Sequence, residues 1–150
     1  MGYQLGKRSK DRLIGVDPRM VAVVERAIEI SEQDFSVICG MRTIEEQKAL
    51  VAKGASQTMK SKHLEGLAVD LMAYIDGARW ELNLYDEIAD AMRRAAIEQG
   101  VTIRWGAAWH KTLNEWAGSN AEYLMNEYID LRRSQGRRPF IDGPHFEIVE

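Results

Sequence analysis

After Asp17-Pro18 the apolar positions recur at helical spacing, with Met20, Val24, Ala27 and Ile28 on one face of RMVAVVERAIEIS. That spacing predicts a helix, and an Asp cap with Pro at the first helical position marks its start. The pattern then shortens to FSVICG (Phe35–Gly40), a β-branched and aromatic run closed by glycine, which reads as a strand. Thr43 opens a second helix, TIEEQKALVAKG, where Glu46 completes a capping box and Gly54 marks the stop. A small, polar loop, Gly54–Lys62, follows, and then a strand over Leu67–Tyr74. Beyond the Asp76-Gly77 turn, ELNLYDEIADAMRRAAIEQG is an amphipathic helix ending at Gly100. VTIRWG (Val101–Gly106) is a third strand, NAEYLMNEYIDLRRSQ a last helix from about Asn120 to Gln135, and HFEIV (His145–Val149) a terminal strand. Four strands and four helices in mixed order, without repeats or a linker, predict a small α+β domain with helices packed on an antiparallel or mixed sheet.

Composition narrows the class. With 150 residues, 45% hydrophobic and 29% charged, the chain is expected to form one globular domain over residues 1–150. Its net charge of −3 gives no global field toward nucleic acid or an anionic membrane. The one dense basic cluster, Arg132–Arg138, has no interleaved aromatics and reads as a solvated helix end. No apolar run is long enough for a membrane span, and the basic N-terminus lacks an apolar stretch behind it, so neither membrane insertion nor a secretory signal is expected. The lone Cys39 excludes an internal disulfide, and its strand-like setting predicts a packed, inert thiol.

The chemistry gathers around Asp70, a carboxylate inside an otherwise apolar strand. An unpaired buried charge costs several kcal/mol, so Asp70 requires a partner. His63 stands just before that strand. His145 begins the terminal strand after the Asp142-Gly143-Pro144 turn, with Glu147 on the same strand face. Two imidazoles and one carboxylate are the ligand set of many catalytic zinc sites, and a dication would compensate Asp70. On that reading His63, Asp70 and His145 hold one zinc per chain, Asp142 is free to act as general base, and Glu147 orients a ligand. Trp105 and Trp109 are expected to line a substrate groove, Trp80 and Trp116 to be packing residues, and His110 to be a spare imidazole. Arg42 is a cation beside a helix N-terminus, where it opposes the helix dipole, which points to a functional reason for it.

Ser61-x-His63-x-x-Gly66-x-Ala68-x-Asp70 with Asp142-x-x-His145 resembles the zinc D-alanyl-D-alanine carboxypeptidases and L-alanyl-D-glutamate endopeptidases of the VanY type, which share a fold with the Hedgehog signalling domain. GMRTIEEQ (Gly40–Gln47), RWGAAW (Arg104–Trp109) and the Asp-Gly-x-His ending are most similar to the phage endolysin branch. The resemblance implies zinc ligands at His63, Asp70 and His145, a base at Asp142, Arg42 near the scissile carbonyl or a substrate carboxylate, and Ser61 in contact with substrate. It further implies hydrolysis of the L-alanyl-D-glutamate bond in peptidoglycan stem peptides during host-cell lysis. From charge and length, no nucleic-acid binding and no separate wall-binding domain are expected, and the chain is expected to be a monomer. Such a protein is expected to be made in the host cytoplasm and to reach the periplasmic wall after the membrane is breached. The alternatives are a zinc D-alanyl-D-alanine carboxypeptidase and a non-catalytic module that keeps zinc for structure. A bystander base distinguishes the last, since a binding module has no use for Asp142.

Overall fold

The computed structural model describes residues 2–56 and 58–150. In chain order the elements are α1 (Lys7–Arg12), α2 (Pro18–Ile30), β1 (Phe35–Cys39), α3 (Ile44–Ala52), a 3-10 turn (Lys62–Glu65), β2 (Ala68–Tyr74), β3 (Ala78–Arg79), α4 (Leu82–Gln99), β4 (Ile103–Trp105), α5 (Ala121–Ser134) and β5 (His145–Ile148). The strands form an antiparallel sheet in the order β1-β2-β5-β4, with the two-residue β3 paired to β2. The α+β expectation holds, and the sheet is antiparallel rather than mixed.

Local signals set the helix ends. Asp17 accepts the Arg19 N–H at the start of α2. Thr43 and Glu46 close a reciprocal capping box on α3. Gly100 ends α4 in the left-handed conformation. Three elements lack a signal strong enough to be expected: α1, β3 and the 3-10 turn. The first carries no apolar periodicity because its work is polar. Ser9 Oγ accepts the Val37 N–H and Arg12 donates to the Val37 carbonyl, so α1 covers the otherwise open edge of β1.

The sheet has two unlike faces. Val69, Leu71 and Ala73 of β2 alternate inward with Phe146 and Ile148 of β5, and pack against Met20, Val24 and Ala27 of α2 and Ile88, Met92 and Ala96 of α4. The intervening residues, Asp70 on β2 and His145 and Glu147 on β5, point to the opposite face, away from the helices. A bulge between Val37 and Cys39 brings Cys39 opposite Asp70, and Asp70 in turn pairs with His145. One row across three strands therefore reads Cys39, Asp70, His145.

His63 reaches that row from the 3-10 turn, whose exit is Gly66 at φ 71°. A Cβ at Gly66 would lie 2.7 Å from the Gly15 carbonyl, and the Gly66 carbonyl accepts the Asp17 N–H. The turn that carries His63 is thus tied to the start of α2. Gly66→Ala is expected to cost about 1–3 kcal/mol through the left-handed backbone alone. Urea unfolding measures it, and an unchanged midpoint would contradict this account of the turn.

Candidate active site

Asp70 lies between the two imidazoles. Its Oδ1 is 3.3 Å from His63 Nε2 and 3.3 Å from His145 Nδ1, and its Oδ2 is 3.7 Å from Arg42 Nη2. The outward nitrogen of each imidazole is already committed. His63 Nδ1 donates to the Gly40 carbonyl at 2.7 Å, and His145 Nε2 donates to Glu147 Oε1 at 2.8 Å. Those outer bonds orient the rings so that the Asp70-facing nitrogens are the ones whose lone pairs a bound cation would take on displacing their protons, as supporting groups do for metal-ligating histidines. Asp142 joins from the turn before β5, with its carboxylate within 4.8 Å of donor atoms of Asp70 and His145. The residues therefore fit a cation on both donor type and orientation.

The electrostatics agree. Burial resists charging of the histidines, but hydrogen bonds to Asp70 and Cys39 outweigh it and lift His63 to about 10. Burial opposes charge on His145 too, and its bonds to Asp70 and Glu147 bring it to about 9. Asp70 responds in the other direction: despite its burial, the two imidazoles hold its carboxyl well below the usual range. Asp142 is raised by burial and by the charge of Asp70. A metal ion entering this cluster displaces the two imidazole protons, so its affinity falls as pH falls.

Cys39 departs from expectation. It is half-buried rather than packed in the core, with Sγ 3.7 Å from His63 Nδ1 and 3.3 Å from Arg42 Nη2. Burial raises its thiol pKa, and the neighbouring His63 and Arg42 bring it below its ordinary value. Two groups have all their donor atoms within 4.8 Å of one another, Cys39 with His63 and Asp70 and Asp142 with Asp70 and His145, and the expected His63, Asp70 and His145 set is divided between them. The β1 bulge creates the Cys39 contact, and no pattern of apolar residues foretells a bulge.

Arg42 is held from several sides. Nη1 donates to Gln47 Oε1 at 2.7 Å and lies 3.5 Å from Ser61 Oγ. Gln47 is fully buried on α3, and its amide donates to Ser56 Oγ and the Thr58 carbonyl. It thereby positions both Arg42 and the loop after α3. Gln47 stands in the Arg-Thr-x-x-x-Gln element but its own part was missed, since a buried amide on a short helix leaves no periodic signal. Ser61 lines the cleft, and its Oγ also caps the 3-10 turn by accepting the His63 N–H.

The cleft over the cluster has a volume of about 830 Å³ and is lined by Arg42, Ser61, His63, Asp70, Asp142 and His145, with Trp109 and Phe140 on its flank. Trp105 is not among the lining residues. It is fully buried against Phe146, and its indole N–H donates to the Gly143 carbonyl at 2.7 Å, which places it in the core beneath the Asp142 turn. The expectation that Trp105 lines the groove is corrected on that ground: on a strand, its side chain alternates inward with Ile103. Trp116 packs against the core as expected, whereas Trp80 is 58% exposed and stacks on Tyr85. His110 is engaged elsewhere, with Nε2 2.8 Å from Glu127 Oε1 and its ring against Tyr128. Gly106 shows how closely the site is assembled. It donates to the His145 carbonyl and accepts from Asp142 N–H, and a Cβ there would lie 2.2 Å from the Asp142 carbonyl oxygen.

Two imidazoles and two carboxylates at the floor of an open cleft are the donor set of a metal-dependent hydrolase. The comparisons with known proteins specify which kind. A family model described as phage L-alanyl-D-glutamate peptidase matches residues 1–149. The L-alanyl-D-glutamate peptidase of Escherichia phage T5 is 31% identical over 99% of this chain and 100% of its own length. The crystal structure of the Serratia marcescens L-Ala D-Glu endopeptidase ChiX superposes with a TM-score of 0.69 at 35% identity, over 95% of this chain and 87% of that one. The chain belongs to the phage L-alanyl-D-glutamate peptidase family.

Metal content separates the three histidines. His63→Ala and His145→Ala are expected to lose bound zinc, while His110→Ala retains about one ion per chain, as a three-ligand open site holds a single metal. Atomic emission on protein purified without chelators reads it. Zinc retained by His63→Ala at the wild-type ratio would contradict the ligand set.

Proposed function

We propose that the chain is an endolysin-type zinc endopeptidase that hydrolyses the L-alanyl-D-glutamate amide bond of peptidoglycan stem peptides. The observation that carries this reading is Asp70 shared between His63 and His145, with Asp142 at the same cleft, in a chain of this family. His63, Asp70 and His145 would hold one zinc ion. Zinc bound there would supply Lewis acidity toward the scissile carbonyl and bring the pKa of a water toward about 7.

The chain's own residues do the rest. Asp142 accepts a proton from the attacking water and delivers it to the leaving amine of D-glutamate. Arg42, held by Gln47, presents a guanidinium where negative charge develops on the carbonyl oxygen and beside the D-glutamyl carboxylate. Glu147 and the Gly40 carbonyl keep the ligand imidazoles in one tautomer. Ser61 borders the cleft and meets the substrate backbone. Among the described residues no helix is long and apolar enough to cross a membrane. In keeping with its family the protein acts on the cell wall, after synthesis in the host cytoplasm and breach of the membrane.

Asp142→Ala is expected to keep its zinc and lose hydrolysis by a factor of about 10² or more, the usual share of a general base. Mass spectrometry of digested peptidoglycan identifies the bond: the wild type releases stem peptides that begin with D-Glu and leaves L-Ala on the glycan. Release of D-alanine alone would identify a carboxypeptidase instead, and native activity in Asp142→Ala would remove the base from the mechanism.

A further inference from the structure

The cleft has two chemically different flanks, and the sheet order assigns each to a side. Arg42 stands against Cys39 of β1, so this flank carries a cation, and Lys60 of the loop after α3 also lines the cleft. The Trp109 ring packs 5.4 Å from the His145 ring of β5, and Phe140 stacks on Trp109 at 6.1 Å with the planes 27° apart. β2, with Asp70, runs between them. Cation, reacting centre and aromatic ledge thus follow one another across the sheet.

Phe140 is 56% exposed, an unusual position for a phenylalanine, yet it is rigidly presented. The hydroxyl of the buried Tyr128 on α5 donates to the Phe140 carbonyl at 3.1 Å and accepts the Phe140 N–H at 3.3 Å. Both backbone groups of Phe140 are satisfied by one side chain. The ledge neighbour Trp109 is fixed by its ring contacts with Phe140 and His145. An exposed ring on an anchored backbone, stacked on a second aromatic ring that lines the cleft, is built to receive a ligand with a flat apolar face.

Resting on the peptidase reading above, we infer that Trp109 and Phe140 form a saccharide subsite for the glycan strand on the acyl side of the scissile bond. The L-alanyl half of that bond leads to N-acetylmuramic acid, a neutral pyranose ring whose C–H face suits aromatic stacking. The D-glutamyl half carries carboxylates, which suit Arg42. The two flanks therefore set the direction in which the stem crosses the cleft. α5 gains a function at the same time, since its Tyr128 holds the ledge in place.

The test compares kcat/KM on a disaccharide tetrapeptide with that on the N-acetylated tetrapeptide of the same sequence. The wild type is expected to prefer the glycan-bearing substrate by about tenfold, through KM, as befits one aromatic contact. Phe140→Ala brings that ratio to within about twofold, and Phe140→Tyr keeps it. N-Acetylmuramyl-L-alanine is expected to inhibit the wild type competitively at concentrations where N-acetyl-L-alanine does not. A wild type that cuts both substrates equally overturns the subsite alone, and so does a preference that survives Phe140→Ala. A wild type that cuts neither overturns the peptidase reading and the subsite with it.

Discussion

A buried carboxylate shared by two imidazoles is the constraint around which the rest of this molecule is arranged. Asp70 sits at 3.3 Å from both His63 and His145. Alone it would be a large desolvation cost in the middle of a sheet. With its partners it becomes a low-pKa anion that holds two histidines on one point. Each neighbouring feature secures one member of that group. The β2–β5 register sets His145 opposite Asp70, the 3-10 turn brings in His63, and Glu147 and the Gly40 carbonyl settle the tautomers.

The same constraint explains why the fold has its particular asymmetry. One sheet face is given to α2 and α4 and carries the apolar core, and the other is left free for the ionic row. α1 closes the β1 edge through the polar contacts of Ser9 and Arg12, while α5 buries Leu124 and Met125 in the core and its Tyr128 fixes the loop leading to Asp142. Gly106 lets two parts of the site approach more closely than a Cβ would permit. Stability and chemistry are thereby divided between the two faces, so that the charged site does not have to be accommodated inside the core.

Much of this was legible in the sequence, and the reasons differ by residue. Caps and periodicity marked α2, α3 and α4, because Asp17, Thr43 with Glu46, and Gly100 act within a few residues of themselves. Asp70 stood out as a charge in an apolar strand, and its spacing from His63 and the Asp142-to-His145 ending pointed to a shared site. What escaped depends on contacts between distant segments. The Cys39 approach to His63 needs a bulge, the Gln47 support of Arg42 needs the loop after α3, and Phe140 beside Trp109 needs α5. Trp105 and Trp109 are four residues apart with equal composition around them, yet strand alternation turns the first into the core and the loop turns the second toward the cleft.

The proximity of Cys39 to His63 makes the identity of the metal's neighbours the decisive question. X-ray absorption at the zinc edge of the loaded protein answers it without reference to activity. The account predicts a nitrogen and oxygen shell at about 2.0–2.2 Å from two imidazoles, the Asp70 carboxylate and water, with no sulfur. A sulfur scatterer at about 2.3 Å would place Cys39 among the ligands and contradict the site described here.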